Sequence, residues 1–294
     1  KMISWNSSHY LRYSSSRLKP AIDLLSTTLS NTSSSSSSLV RKVLDLGCGP
    51  GNITPFLSQA FPEAKIIGID SSNNMIEAAK KANQNLINSS FILDDINNLD
   101  NWSFEEPFDV VYSNATLHWI PDQTIHRTIL LKLLKPNGGI LAVQMPDTRF
   151  QPSHVLMDVA VNNCGYRHLI TESSRIPRVE HDPSYYYSLL SPHTESLDFW
   201  STEYIHELSY DKEMKLHPVA EFTSATGLQP ILRSIEGNDG EVGKERVDNF
   251  MREYNRLLYE SYPPQKVIVN GSGNQHEKEI ILFPFKRFFF VAKR

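Results

Sequence analysis

The chain has 294 residues, of which 40% are hydrophobic, and its formal net charge is −4. This size suffices for one core with an added cap, and the mild negative charge without long lysine or arginine runs argues against nucleic acid as a partner. No apolar stretch approaches membrane-spanning length, so we expect no membrane partner. Two cysteines, Cys48 and Cys164, make no disulfide framework, which favours a reducing, cytoplasmic compartment.

The segment 5–25 mixes aromatic and aliphatic residues with basic ones, and Pro20 suits the first turn of a helix. The segment can fold over a ligand site as a lid helix, and we expect a flexible surface loop after it at the serine run 33–38. Together they would make up residues 1–40. A packing helix with a solvated basic face is the alternative for the first part.

A buried strand is predicted at residues 43–46, and it breaks into a cluster formed by Gly47, Gly49 and Gly51. Glycine lets the backbone turn sharply and come close to a ligand because no Cβ blocks the approach. The amphipathic segment 53–60 predicts a helix, whose N-terminus favours a polar or anionic group. This pattern is typical of a loop that holds a nucleotide-like ligand.

The residues of this loop distinguish between possible nucleotide-like ligands. A dinucleotide fingerprint has its third glycine where this chain has Asn52. Asp45 precedes the first glycine by two residues, and a carboxylate there would repel a pyrophosphate but suits an ammonium group. These features indicate S-adenosylmethionine as the cofactor, since it carries an ammonium and a sulfonium.

Two further apolar runs also end in acids, at Asp70 and at Asp95. At the end of the second strand of a doubly wound sheet, Asp70 can accept hydrogen bonds from both ribose hydroxyls. Asp95 can accept from the adenine amino group while Ile96 packs on the ring. Enzymes that bind NAD also have an acidic residue at this position to bind ribose, so Asp70 alone does not identify the cofactor. Its combination with Asp45 and Asp95 favours the S-adenosylmethionine hypothesis.

Strands and helices alternate between Lys42 and Asp147, which predicts parallel strands with helices on both faces and ligands at the carboxyl ends of the strands. The predicted strands are 42–46, 65–69, 90–93, 108–113 and 139–145, and the predicted helices are 53–60, 73–83 and 122–134. Beyond them the sequence predicts helices at 153–161, 184–190, 216–226 and 247–259, and strands at 199–208 and 280–291. Gly227 is a signal for the end of a helix.

A resemblance covers nearly the whole chain. Its motifs are Trp5-Asn6, Tyr10-Leu11, Arg17, Pro20, Gly68-Ile69-Asp70-Ser71-Ser72, Ser113-Asn114-Ala115, His118-Trp119-Ile120-Pro121-Asp122, Gln144-Met145-Pro146-Asp147, Ser153-His154-Val155-Leu156-Met157, Tyr185-Tyr186, Phe199-Trp200, His206 and the segment 223–228. In these motifs the chain resembles the trans-aconitate 2-methyltransferases, a family of class I methyltransferases dependent on S-adenosylmethionine. The glycine motifs indicate only the superfamily, whereas the motifs at 144–147 and 153–157 are much more specific.

The resemblance implies an α/β fold: a doubly wound, Rossmann-like sheet, mostly parallel with an antiparallel C-terminal strand, plus a helical cap. Residues 1–294 would form a single methyltransferase domain with its cofactor-binding core at 41–150. The remaining strands, with a helical cap inserted at 209–279, would occupy 151–294.

The predicted site residues fall into two sets, and the predicted chemistry needs no metal. The cofactor-binding set is Asp45, Gly47, Cys48, Gly49, Gly51, Asp70, Ser71, Met75, Asp95, Ile96 and Asn114. The substrate-binding set is Tyr10, Arg17, His118, Trp119, Arg149, His154, Tyr185 and Tyr186. Arginine suits an anionic substrate because of its bidentate fork, and Cys48 is expected to be a small filler rather than a nucleophile.

The residues directly after the fourth strand narrow the type of nucleophile. Enzymes that methylate amino groups of nucleic acids hold the base with an Asn/Asp-Pro-Pro-aromatic motif at this position. This chain has Ser113-Asn114-Ala115-Thr116 there instead. The resemblance implies instead a small anionic substrate, namely trans-aconitate or a related di- or tricarboxylate, methylated on one carboxylate. Gln229 stands where the family has an arginine. The alternatives are another acceptor, such as a quinone precursor or an acyl-carrier-bound malonyl group, and a non-catalytic binding module.

Overall fold

A computed structural model describes residues 14–33, 39–171, 182–224, 226–270 and 275–294, and of residues 14–17, 33, 270 and 276 it describes only the backbone. Its strands are β1 Lys42–Leu46, β2 Lys65–Asp70, β3 Ser89–Leu93, β4 Val110–Asn114, β5 Ile140–Pro146, β6 Ser196–Ser209, β7 Gln265–Asn270 and β8 Gln275–Lys293. Its α-helices are α1 Ser14–Ser33, α2 Thr54–Ala60, α3 Asn73–Ala82, α4 Ile125–Lys132, α5 Pro152–Asn163, α6 Pro183–Leu190, α7 Pro218–Ser224, α8 Gln229–Glu236 and α9 Gly240–Ser261. Short 3₁₀ helices lie at Ile96–Asn101, Leu117–Trp119, Arg167–Leu169 and Ser191–His193.

The strands form a mixed sheet in the order β3-β2-β1-β4-β5-β8-β6, with β7 paired to β8. The pairs β2-β3, β1-β2, β1-β4 and β4-β5 are parallel, whereas β8 runs antiparallel to β5. From the central pair β1 and β4, the strand order runs through β2 and β3 to one edge of the sheet and through β5 toward the other. This reversal of direction is typical of a doubly wound sheet. The predicted fold class is therefore confirmed, including the antiparallel C-terminal strand.

The two faces of the sheet differ in chemistry. One face carries an apolar cluster that includes Leu44, Val111 and Val143, packed with residues of α4, α6 and β8. Because side chains alternate along a strand, the residues between them project to the opposite face. Asp45 and its register partner Tyr112 lie on that second face. Polar groups that could meet a ligand are therefore gathered on one side of the sheet.

Helix α1 packs on β5. Ala21, Leu24 and Thr28 are buried, and Tyr112 Oη donates a hydrogen bond to the carbonyl of Ala21 at 2.6 Å. The prediction that Pro20 starts this helix was wrong, because Pro20 lies inside it. The helix ends at Ser33, the first residue of the serine run predicted as a loop. Within its last turns the side-chain hydroxyls of Ser26 and Ser30 donate to the carbonyls of Ile22 and Ser26. The rest of the serine run lies outside the described residues.

Several element boundaries differ from those predicted. Phe108 makes only an isolated bridge to Leu134, so β4 begins at Val110 rather than at residue 108. Helix α4 begins at Ile125 because Asp122 Oδ1 accepts a hydrogen bond from Thr124 N and closes a turn before it. The single helix predicted at 216–226 ends at Ser224, and α8 starts soon afterwards.

The described residues divide into two compact units. The first lies within Lys1–Pro146, Val179–Thr202 and Arg287–Arg294, and the second lies within Asp147–Arg178 and Glu203–Lys286. In the second unit α5 packs on α9, where Tyr254 Oη donates to the carbonyl of Ser153 at 2.7 Å. The segment predicted as a helical cap also contains β7, which was not predicted from the sequence. No described helix is long and apolar enough to cross a bilayer.

Candidate active site

The turn after β1 is built from glycines with positive φ. Gly47 has φ +74°, and a Cβ added to it would lie 2.1 to 2.5 Å from atoms of the Thr116 side chain. Gly49 has φ +54°, yet a Cβ added there would meet nothing within 4 Å. Gly47 is therefore required by packing within the fold, whereas Gly49 faces open space where a ligand could approach.

Asp45 lies beneath this turn and is 1% exposed. Its Oδ2 accepts no hydrogen bond from the described residues. Burial, together with the negative charge of Asp70, raises the pKa of Asp45 to about 7. A buried carboxylate oxygen without a hydrogen bond is unfavourable in the protein alone, so a cationic ligand group would relieve this cost. This setting fits the ammonium of S-adenosylmethionine, and contact between that group and Asp45 stays a prediction.

Asp70 ends β2 and holds the turn in place. Its Oδ2 accepts from the backbone N–H of Gly49 and its Oδ1 accepts from that of Ser72, each at 2.9 Å. Burial raises the pKa of Asp70, and this effect outweighs the two hydrogen bonds, which lower it. Each carboxylate oxygen retains a second lone pair, so acceptance from ribose hydroxyls stays compatible with this geometry.

Asp95 and Ile96 come after β3 and have partners within the folded chain. Asp95 Oδ1 accepts from the backbone N–H of Asn97 at 2.9 Å and caps the 3₁₀ helix Ile96–Asn101. Ile96 is buried in the apolar cluster on the other face of the sheet. Both positions are explained by local structure, and their contact with adenine stays a prediction.

The remaining cofactor candidates in this region are Cys48, Ser71 and Met75. Cys48 and Met75 are buried, and Ser71 is exposed beside the Asp70 loop. Burial, with the negative charges of Asp45 and Asp70, raises the pKa of the Cys48 thiol well above its usual range. The thiol therefore stays protonated, which fits a small buried filler and does not suit a nucleophile.

The loop after β4 is joined to the glycine turn. Thr116 Oγ1 lies 3.2 Å from the carbonyl oxygens of both Gly47 and Asn114. Ala115 has φ +55°, the one non-glycine residue with positive φ among the described residues, and its N–H donates to the carbonyl of Gln144 at 2.9 Å. A strained backbone of this kind persists only where the surroundings fix it. Asn114 Oδ1 is buried and accepts no hydrogen bond from described groups.

Four predicted substrate residues lie in the first unit and differ in accessibility. His118 is buried beside Trp119, with 5.3 Å between the ring centroids. Tyr185 is half-buried. Tyr186 is fully buried, donates from Oη to Gln123 Oε1 at 2.7 Å and packs against Phe290. This placement makes Tyr186 a core residue, and its contact with a substrate stays a prediction.

Two other candidates lie in the second unit. Arg149 forms a bidentate pair with Asp147, with 2.9 and 3.0 Å between nitrogen and oxygen atoms. Burial of Asp147 is outweighed by Arg149 and Lys286, which lower its pKa. His154 is buried, with Nδ1 3.1 Å from Ser153 Oγ. Tyr10 and the side chain of Arg17 lie outside the described residues.

Sequence reasoning missed two residues of this region. Thr116 joins the loop after β4 to the glycine turn after β1. These segments are distant in sequence, so no local pattern predicts the contact. Gln144 is a polar residue inside the otherwise apolar run 140–145, and this interruption was a readable signal. Within the described residues, no group of three histidine, cysteine, aspartate or glutamate side chains could hold a metal ion.

The doubly wound sheet, the glycine turn and the buried acid beneath it define a class I methyltransferase. Residues 40–220 match the family described as "Methyltransferase domain". The trans-aconitate 2-methyltransferase of Escherichia coli (strain SE11) is 35% identical over 294 residues, which cover 100% of this chain and 99% of the relative. That of Shigella flexneri is 36% identical over the same coverage. The chain belongs to the trans-aconitate 2-methyltransferase family and is an enzyme of the methyltransferase type.

A solved structure is also similar. The plantazolicin methyltransferase BamL, in complex with a triazolic desmethylPZN analog and SAH, has a TM-score of 0.49 and 18% identity, covering 98% of this chain and 90% of that one. Family membership confirms the prediction of a methyltransferase that uses S-adenosylmethionine as its methyl donor.

Proposed function

We propose that this chain methylates one carboxylate of trans-aconitate, or of a related small di- or tricarboxylate, to give a monomethyl ester. The observation that carries the proposal is the 35% identity over the whole length to relatives named for this activity. The likeness extends through the second unit, so it is not confined to the cofactor-binding sheet. The free thiols of Cys48 and Cys164 suit a reducing compartment such as the cytosol.

The chemistry needs alignment more than proton transfer. When bound, S-adenosylmethionine supplies an electrophilic methyl carbon, so a carboxylate oxygen forms the new C–O bond while the C–S bond breaks with its electron pair left on sulfur. A carboxylate is ionised at neutral pH, so no general base is required. The protein's part is to hold the two reactants in line and to exclude water.

Two acids would hold the cofactor in this proposal. Asp45 would accept from the ammonium group, which gives its buried Oδ2 a partner. Asp70 would accept from the ribose hydroxyls while it keeps its bonds to Gly49 and Ser72. The open space beside Gly49 leaves room for a ligand to approach the turn.

A second candidate is methylation of another acceptor, such as a quinone precursor or an acyl-carrier-bound malonyl group. It is favoured by Gln229, where the family has an arginine. In this chain Gln229 Nε2 donates to the carbonyl of Ser224 at 2.7 Å, at the C-terminal end of α7. A neutral side chain that serves the fold replaces a cation that could grip a second carboxylate.

The test is product formation with purified protein and S-adenosylmethionine, measured by mass spectrometry. The acceptors are trans-aconitate, isopropylmalate, a quinone precursor and acyl-carrier-bound malonyl. We expect a monomethyl ester of trans-aconitate or isopropylmalate, and its loss in Asp45→Asn but not in Asp198→Asn, an exposed control. Turnover of only the quinone precursor or only acyl-carrier-bound malonyl would exclude our proposal. Isothermal titration that detects no S-adenosylmethionine binding would favour a non-catalytic module.

A further inference from the structure

The side chain of Gln144 is buried in a way that the fold alone does not explain. Gln144 lies near the carboxyl end of β5, is 0% exposed, and has neither a donor to its Oε1 nor an acceptor for its Nε2 among the described residues. A buried carboxamide without hydrogen bonds is unfavourable. Such a group calls for a partner that the chain does not supply.

The other buried glutamines show what the fold normally provides. Gln123 Nε2 donates to the carbonyl of Leu117 at 3.1 Å, and its Oε1 accepts from Tyr186. Gln151 Nε2 lies 3.3 Å from Tyr262 Oη and also donates to a backbone carbonyl. Gln144 therefore differs from both in lacking any partner from the described residues.

The register of the sheet places Gln144 beside the candidate active site. It pairs with Asn114 on β4 and with Phe289 on β8. Paired residues project to the same face, so Gln144 shares a face with Asn114, Tyr112 and, one strand further, Asp45. Asn114 Oδ1 is likewise buried without a partner from the described part of the chain. Two polar side chains at adjacent strand ends are thus available where doubly wound sheets bind ligands.

We propose that Gln144 binds the acceptor, with Nε2 donating a hydrogen bond to the carboxylate that receives the methyl group and Asn114 beside it. This inference rests on the proposed function, which it deepens by naming a residue that selects carboxylate acceptors. Phe289, the register partner of Gln144 on β8, is itself fully buried and stacks on Trp200 with 4.8 Å between the ring centroids. The donor is thereby held in a fixed, dry setting.

A neutral donor suits this step better than a cation. The acceptor carboxylate loses its negative charge as the ester forms, so an arginine or lysine would stabilise the reactant more than the transition state. A cation would also repel the positively charged sulfonium next to it. A carboxamide also orients the carboxylate oxygen, but it stabilises the negative charge of the reactant less than a cation does. The carboxylate therefore stays more nucleophilic.

The test uses the full chain with two substitutions of similar shape. Gln144→Met removes the donor, and Gln144→Glu adds a negative charge that repels an anionic acceptor. Gln265→Glu, at an exposed position, is the matched control for charge. Steady-state kinetics give kcat and KM for trans-aconitate, and calorimetry gives the Kd of S-adenosylmethionine.

We expect the KM of the acceptor to rise about tenfold or more in Gln144→Met and further in Gln144→Glu, while the Kd of S-adenosylmethionine stays within about twofold. An unchanged acceptor KM in both variants would overturn the inference. So would a Kd for S-adenosylmethionine that weakens as much as the acceptor KM, because Gln144 would then serve the cofactor. Wild-type protein that methylates no carboxylate would overturn the proposed function, and this inference with it.

A measurement on the wild-type protein covers the case in which the variants do not fold. In a crystal of the full chain with S-adenosylhomocysteine and trans-aconitate, we expect a carboxylate oxygen about 3 Å from Gln144 Nε2. An acceptor bound elsewhere, with Gln144 still unpaired, would contradict the inference while leaving the proposed function intact.

Discussion

The carboxylate of Asp70 accepts a hydrogen bond from the backbone N–H of Gly49, with 2.9 Å between Oδ2 and N. Through its second oxygen it also accepts from Ser72. One side chain thus joins the turn after β1 to the loop after β2. The residue predicted to bind ribose is therefore also the residue that shapes the cofactor turn.

Asp70→Asn should weaken both functions. An asparagine has one acceptor oxygen, so it can keep only one of the two backbone hydrogen bonds and offers fewer acceptors to a ribose. We expect the free energy of unfolding to fall by about 1 kcal/mol and the Kd of S-adenosylmethionine to rise about tenfold. Urea unfolding and calorimetry measure the two effects. Asp198→Asn, at an exposed position, should change neither, and a normal Kd in Asp70→Asn would contradict a ribose contact.

Asp45 should make stability depend on pH. Its pKa is raised from 3.8 to about 7 by burial and by Asp70, so the folded state retains a proton that the unfolded chain releases. Between these two values the unfolded state binds fewer protons, and stability therefore falls as pH rises. Three pKa units correspond to about 4 kcal/mol. We expect the free energy of unfolding, measured without ligand, to drop from about pH 4 to about pH 7, and Asp45→Asn to remove that drop.

The same titration predicts the opposite trend for the ligand. Only the ionised carboxylate of Asp45 accepts a hydrogen bond from an ammonium group. We therefore expect the affinity for S-adenosylmethionine to increase between about pH 5.5 and about pH 7.5 in the wild type, as measured by calorimetry. Asp45→Asn should bind weakly throughout this range. An affinity that is independent of pH in the wild type would contradict contact between Asp45 and the ammonium group.

The sequence predicted the parts of this protein that depend on local pattern. The strand 43–46, the glycines after it and the acid at Asp70 are encoded within short windows, and the structure has them where expected. Periodicity does not fix helix ends, so the position of Pro20 inside α1 was missed. The burial of Tyr186 was missed as well, because it depends on Gln123 and Phe290, which are distant in sequence. Tertiary packing determines such placements.

Gly47 and Gly49 should respond differently to alanine. Both have positive φ, which costs a residue with a Cβ about 1–2 kcal/mol. At Gly47 the new Cβ would also overlap Thr116, so we expect a further loss of about 1–3 kcal/mol in the free energy of unfolding. Gly49→Ala should lose only the ~1–2 kcal/mol that positive φ costs. It should also bind S-adenosylmethionine more weakly, because its methyl group lies in the space through which the ligand would approach.

Gly138→Ala is the matched control for these two variants. Gly138 has φ +80° and open space around its Cβ position, in the turn before β5. It should show the backbone cost without any change in the Kd of S-adenosylmethionine. If Gly49→Ala bound the cofactor as well as Gly138→Ala does, the cofactor would not pass close to Gly49.

Tyr186→Phe should separate a core role from a substrate role. The change removes the hydrogen bond from Tyr186 Oη to Gln123 Oε1 in a fully buried setting. We expect the free energy of unfolding to fall by about 1–3 kcal/mol while the acceptor KM stays unchanged. Tyr187→Phe, at the exposed neighbour, should leave both quantities as in the wild type. A large increase in acceptor KM for Tyr186→Phe alone would restore Tyr186 to the substrate site.

Gln229→Arg should report on which acceptor the chain uses. If the acceptor carries a second carboxylate that the family arginine would grip, the new cation adds a charged hydrogen bond, and we expect the KM for trans-aconitate to fall about tenfold. The bond from Gln229 to the carbonyl of Ser224 is lost, so a small decrease in stability should accompany the change. Gln265→Arg, at an exposed position, is the matched control. An unchanged KM for trans-aconitate would mean that position 229 does not reach the acceptor, and the absence of the family arginine would then give no support to a different substrate.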